Sequence, residues 1–119
     1  MGSRSDELVI LVPGVGLGGM EMFPLRRHCK RQGWRAKIFW YNPWTRTIDQ
    51  AAKGLDAFVK RFDNPTIHFV GHSLGGLVIL KTFESYPERR PGKIVLMGSP
   101  IKGCKGARRM RRLPPLGWL

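Results

Sequence analysis

The run Leu8-Val9-Ile10-Leu11-Val12 is aliphatic at every position and stops at Pro13-Gly14. A strand with one wet face alternates apolar and polar residues, so an unbroken run reads as a strand buried on both faces. Such a strand needs structure packed above and below it, which points to the middle of a sheet between two layers of helices.

The remaining patterns supply those layers. A helix is predicted over Pro24–Gln32, with Pro suited to its first turn and Gly33 to its stop. Ala36–Tyr41 reads as a second strand, ended by Asn42-Pro43. Thr47-Ile48-Asp49-Gln50 has the capping-box pattern, and Ile48, Ala51, Ala52, Leu55, Phe58, Val59 and Phe62 then trace one helical face down to Asn64-Pro65. A third strand is predicted over Thr66–Val70, a helix over Leu74–Tyr86 and a fourth strand over Ile94–Met97. Strands separated by helices call for right-handed crossovers, hence a three-layer α/β domain with a parallel sheet of about four strands and helices on both faces. If the spatial order is second, first, third, fourth, the chain reverses direction between the first and third strands. Ligands in such sheets bind at that switch, outside the carboxyl ends of the strands. The two glycine-rich turns, Gly14–Gly19 and Gly71–Gly76, are expected to face each other there.

With 119 residues the chain is expected to form one domain, its core over about 7–100 and a basic segment over about 101–119. The net charge of +13 is unevenly placed: residues 89–119 hold nine of the 21 Lys and Arg and none of the eight acidic residues. Lys102, Lys105, Arg108, Arg109, Arg111 and Arg112 form a cluster that suits an anionic membrane surface. No base-stacking aromatics are interleaved with it, so nucleic acid is not the expected partner and a solvated segment is the ordinary reading. Cys29 and Cys104 show neither C-x-x-C nor zinc-ligand spacing, so no metal and no cofactor is expected. The N-terminal apolar run follows Asp6 and Glu7 and breaks at Pro13, matching neither a signal peptide nor a spanning helix, and a cytoplasmic location is expected.

Between the third strand and its helix stands Gly71-His72-Ser73-Leu74-Gly75. This is the G-x-S-x-G pattern, in which Gly71 and Gly75 allow a turn so tight that the Ser73 hydroxyl projects from the top of the sheet. The pentapeptide alone is weak in a chain with 15 glycines, and its bland reading is a glycine-rich turn with an incidental serine. Its strand-to-helix context is what strengthens it. A serine is a poor nucleophile without a base, and the oxyanion formed on attack needs fixed donors. The backbone N–H groups of Leu74, after the serine, and Val15, from the first turn, are the candidate donors.

On these residues the chain resembles the N-terminal half to two-thirds of an α/β-hydrolase of the compact bacterial lipase/esterase type. The resemblance rests on Leu8–Gly14, Thr66–Gly76 and the stretch Ile94–Gly103, which is similar to a strand and its following G-x-P-x-x-G loop. It implies Ser73 as nucleophile, Val15 and Leu74 as the oxyanion hole, and an acyl ester or lipid as substrate. Met20, Met22 and Phe23, placed after the first turn, are candidates for the acyl side of the cleft, with core packing the expected role for at least one. The first turn departs from the usual His-Gly, having Pro13-Gly14.

A larger departure concerns the triad, which in this fold runs serine, acid, histidine along the chain. No histidine follows His72 and no Asp or Glu follows Glu88. His68 is five residues before Ser73 on one strand, roughly 16 Å away at strand rise. His72 is expected to project away from the serine, and His28 reads as a half-buried packing residue of the first helix. Glu84 and Glu88 read as solvated surface. Three explanations stand: a fragment of a longer hydrolase, an inactive homologue that serves as an interaction module, or a second chain that donates the missing groups. An uncovered edge at the fourth strand is expected to favour self-association. The competing class is a dinucleotide-binding domain, because Gly14, Gly16 and Gly19 also satisfy G-x-G-x-x-G. It lacks an acid at the end of the second strand for a ribose hydroxyl.

Overall fold

A computed structural model describes residues 6–15, 19–87, 90 and 92–98. The chain runs β1 (Glu7–Val12), a 3-10 turn (Met20–Met22), α1 (Phe23–Arg31), β2 (Arg35–Ile38), α2 (Ile48–Val59), β3 (Thr66–His72), α3 (Leu74–Ser85) and β4 (Ile94–Met97). All strand pairs are parallel, and the order is β2-β1-β3-β4, with the reversal between β1 and β3. The predicted basic cluster, Cys104, Glu88, Gly16 and the segment after β4 lie outside the described residues.

β1 occupies the centre because its two faces serve two cores. Leu8, Ile10 and Val12 point into one cluster with Leu55, Val59, Ile67, Phe69, Val78 and Ile79, beneath α2 and α3. Val9 and Leu11 point the other way, into a smaller cluster with Met22, Cys29, Ala36 and Ile38 beneath α1. Burial of the five aliphatic residues ranges only from 0 to 4 % exposure, so no face of β1 is left to water. The period of two along the strand thus divides one apolar run between two layers.

The helices form where local signals and packing agree. α2 starts at Thr47, whose hydroxyl accepts from the Gln50 N–H at 3.1 Å while Gln50 Oε1 accepts from the Thr47 N–H at 2.9 Å. This is the predicted capping box. Its other end is closed by Arg90, whose guanidinium donates to the carbonyl of Val59, the last residue of the helix, and to those of Phe62 and Asn64 in the turn beyond it. α1 stops at Gly33, which takes the left-handed φ of +90°. α3 is buried on most of its circumference, through Gly75, Gly76, Val78, Ile79, Leu80 and Thr82. The Thr82 hydroxyl donates back to Val78 and lies 3.4 Å from the Ala52 carbonyl of α2, joining the two helices of that layer.

The sheet has two different edges. β2 alternates exposed Arg35 and Lys37 with buried Ala36 and Ile38. On β4, Ile94 is buried but Val95 and Met97 are exposed. Among the described residues no helix is long and apolar enough to cross a membrane.

Thr47→Ala removes the acceptor for the Gln50 N–H and should lower unfolding free energy by about 1 kcal/mol, read as a lower urea midpoint with an unchanged slope.

Candidate functional site

The turns after β1 and β3 meet at the carboxyl end of the sheet, as their neighbouring strands require. A Cβ added at Gly14 would lie 2.8 Å from the Ser73 Cβ and from the His72 carbonyl oxygen. The contact between the two turns is therefore a contact of backbone on backbone. Gly75 presses harder still: its Cβ would meet the Val12 carbonyl oxygen at 2.0 Å. Gly71 faces Gly76, where a side chain would sit 2.7 Å from the Gly76 backbone. No side chain at Gly71 or Gly75 is compatible with α3 lying this close to β1 and β3.

Ser73 sits at this junction with φ 55° and ψ −121°. Among the described residues it is the one non-glycine with positive φ. This left-handed conformation normally falls to glycine, and another residue held there costs about 1–3 kcal/mol. A serine before a helix usually recovers such a cost by capping the first turn, yet the Ser73 side chain makes no capping hydrogen bond to α3. Its backbone is held from the other side, the N–H donating to the Met97 carbonyl of β4 at 2.9 Å and the carbonyl accepting from the Gly76 N–H at 3.0 Å. The hydroxyl is thereby left at the N-terminus of a 12-residue helix, the end whose partial positive charge favours developing anions. Leu74 is the first residue of α3, so its N–H has no acceptor one turn earlier in the helix. Val15 is 40 % exposed on the turn after β1.

The histidines fall in three different environments. His68 accepts from the Lys93 N–H at Nδ1, at 3.0 Å, and its Nε2 lies 2.8 Å from Glu7 Oε1, so both ring nitrogens are engaged at the far end of the sheet. His28, expected to be half-buried, is exposed on α1, because the apolar contacts of that helix run through Leu25 and Cys29 instead. His72 turns toward Glu21, with Nδ1 3.0 Å from Oε2. An ionised carboxylate only accepts, so Nδ1 carries the hydrogen.

Glu21 was not anticipated from sequence. It lies in the 3-10 turn ahead of α1, its side chain is 11 % exposed, and its Oε2 also accepts from the Gly14 N–H at 2.8 Å. Burial pushes its carboxyl up, but the Gly14 N–H, the His72 ring and its own N–H together bring it below the ordinary value. Tyr41 completes the group by donating to the Pro13 carbonyl at 2.7 Å. Burial, and then the Glu21 charge, push that phenol up to about 12, so it remains a donor throughout the working range. The one available signal for Glu21 was its isolation, as it is the single acidic residue between Glu7 and Asp49.

The three candidates for an acyl side separate. Met22 is fully buried beneath α1 with Val9, Leu11 and Cys29. Met20 and Phe23 are 65 % and 46 % exposed, and Phe23 meets Trp40 at a centroid distance of 6.0 Å. A cleft of about 920 Å³ lies to the side, along the β2–α2 connection, lined by residues including Tyr41, Trp44, Arg46 and Gln50; Ser73 is not among them. Glu84 pairs loosely with Lys81 at 3.8 Å on α3. Burial pushes the Cys29 thiol up, leaving it a packing group. No protein-family model matches this chain, and no curated protein matches it.

Ser73→Gly should be more stable than Ser73→Ala by about 1 kcal/mol in urea unfolding, since glycine alone releases the strain of the turn. Because the Glu21 pKa is lower in the folded chain than in the unfolded one, its stabilisation is complete above the ordinary carboxylate value and is lost as pH falls through the folded value. The stability gap between the parent and Glu21→Gln should accordingly be about 1–3 kcal/mol at neutral pH and close on acidification.

Proposed function

We propose that the chain is a serine ester-hydrolase core of the α/β-hydrolase type, lipase- or esterase-like, with Ser73 as nucleophile. The observation that carries this reading is the conformation of Ser73: a strained backbone, flanked by obligatory glycines, whose side chain makes no capping hydrogen bond to its own helix. Strain without a local return is expected where a side chain must be displayed rather than packed.

In the reaction, Ser73 Oγ attacks the acyl carbonyl carbon as a base removes its proton, and the carbonyl oxygen becomes an oxyanion. The N–H groups of Leu74 and Val15 are its donors, each worth about 3–4 kcal/mol when aimed at the oxyanion. Collapse expels the alcohol and leaves an acyl-serine ester, which water cleaves to release the acid. Met20 and Phe23 are the two exposed candidates for acyl contact. The base is a separate question, because His68 is committed at both nitrogens at the far end of the sheet, His72 turns its Nδ1 edge toward Glu21, and His28 faces solvent on α1. An activated Ser73 draws its base from an unexpected residue or from a second chain.

The dinucleotide reading fares worse on two observations. The Gly14 N–H, which a pyrophosphate would need, is already occupied by a carboxylate. The Trp40 ring fills the space beside Gly19, 2.2 Å from where a Cβ would stand.

A fluorophosphonate probe read by intact mass tests the assignment. One adduct on the parent and none on Ser73→Ala is the expected result; a folded parent that takes no adduct removes Ser73 as an activated nucleophile of this chain.

A further inference from the structure

A single carboxylate oxygen joins the two turns of the site. Glu21 Oε2 takes the Gly14 N–H at 2.8 Å and the His72 Nδ1–H at 3.0 Å, so it touches the residue opposite Ser73 on one turn and the residue before Ser73 on the other. The peptide between Pro13 and Gly14 is fixed at both its polar atoms, since Tyr41 holds the Pro13 carbonyl at 2.7 Å. The second oxygen, Oε1, is buried and finds no hydrogen-bond donor among the described residues, which leaves Oε2 as the atom that carries both contacts. A buried carboxylate left half-satisfied is costly, and Ala or Leu would fill the place without that cost if packing were its purpose.

We propose that Glu21 is the positioning residue of the Ser73 site: it consumes the Gly14 amide and clamps the β1 turn against the segment that precedes Ser73, so that Val15 supplies the oxyanion donor of that turn. This inference rests on the reading of Ser73 as nucleophile. Its physical basis is that Gly14 packs directly against Ser73 while its amide is committed to Glu21, so the next amide of the turn, that of Val15, is the one left to serve an oxyanion. With the Gly14 N–H held by the carboxylate and the Pro13 carbonyl by Tyr41, the planar peptide between them fixes the Gly14 Cα from which the chain continues to Val15. Donor position matters at this scale, because misplacement by about 1 Å can cost on the order of a hundredfold in rate. The His72 hydrogen bond shares the Glu21 charge, which otherwise would oppose an oxyanion forming nearby.

The test uses the full chain, isotopically labelled, with two readouts: hydrogen exchange of the Gly14 amide, and the rate of fluorophosphonate labelling at Ser73. Glu21→Ala should speed Gly14 exchange at least about tenfold while Ile10 and Phe69 amides keep their protection, and should slow labelling at least about tenfold. Glu21→Gln, which keeps an acceptor oxygen, should hold Gly14 protection and recover part of the labelling rate. Glu7→Ala removes the comparable carboxylate beside His68 at the other end of the sheet and should change neither readout. If the Ala variant does not fold, Glu21→Asp, charged but one methylene short, provides the same comparison and should behave as Ala does. Unchanged Gly14 exchange overturns the clamp. Faster exchange with undiminished labelling overturns the positioning role. A parent that is never labelled, with Gly14 exchange responding as stated, overturns the nucleophile reading and the positioning role with it, a pattern distinct from either.

Discussion

Everything in this domain is referred to β1. Because its five aliphatic residues are divided between two cores, β1 cannot slide by one residue without turning Leu8, Ile10 and Val12 out of the larger cluster and Val9 and Leu11 out of the smaller. That fixes the register of β3, paired from Glu7↔Thr66 to Val12↔Gly71. The register in turn brings Gly71 level with the end of β1 and sets the β3–α3 turn directly against Pro13 and Gly14. The strained geometry at Ser73 is thus a consequence of core packing some distance below it. α3 is held on β1 by Gly75 against the Val12 carbonyl, so the helix cannot retreat to let the turn relax.

Much of this was legible in the sequence because each signal was local and unopposed. The alternation of strands and helices, the capping box at Thr47 and Gln50, the stop at Gly33 and the bounds of β4 all followed from apolar period and turn residues, whereas the strand order entered as an assumption that the structure bears out. Boundaries slipped where pairing rather than pattern decides: β3 extends past Val70 because Gly71 pairs with Val12 of β1 and Leu96 of β4, and His72 with Met97 of β4, and β2 ends at Ile38 although its apolar residues continue to Tyr41. The Phe39 N–H still donates to the Leu11 carbonyl of β1 at 2.9 Å, but no strand pairing follows it, and the Phe39 and Tyr41 rings stack on each other in the larger core cluster. Met22 offered no signal to separate a cleft position from a core position, since a methionine after a glycine-rich turn suits both. Its full burial follows from the 3-10 turn, which rotates it under α1.

The part of the site least visible in sequence is its polar wiring. Glu21, His72, Tyr41 and Pro13 are separated by up to dozens of positions, and no spacing rule links a carboxylate in a short turn to an amide seven residues earlier. Such contacts emerge only once the crossover after β1 returns α1 to the sheet. Ser73 shows the opposite case, where the glycines around it announced a tight turn and the unusual φ was implied by the same residues that made the motif recognisable.

The two margins of the sheet differ in a way that gives the domain a polarity. Arg35 and Lys37 put charge on the β2 margin, where a foreign strand would have to strip water from two cations before pairing. The β4 margin offers Val95 and Met97 with no charge among its four strand residues. Among the described residues the two margins therefore differ in chemistry: an added strand would meet two cations beside β2 and an uncharged strand beside β4. Met97 also holds the Ser73 amide, so the uncharged margin of the sheet and the turn that carries the serine are joined through a single carbonyl.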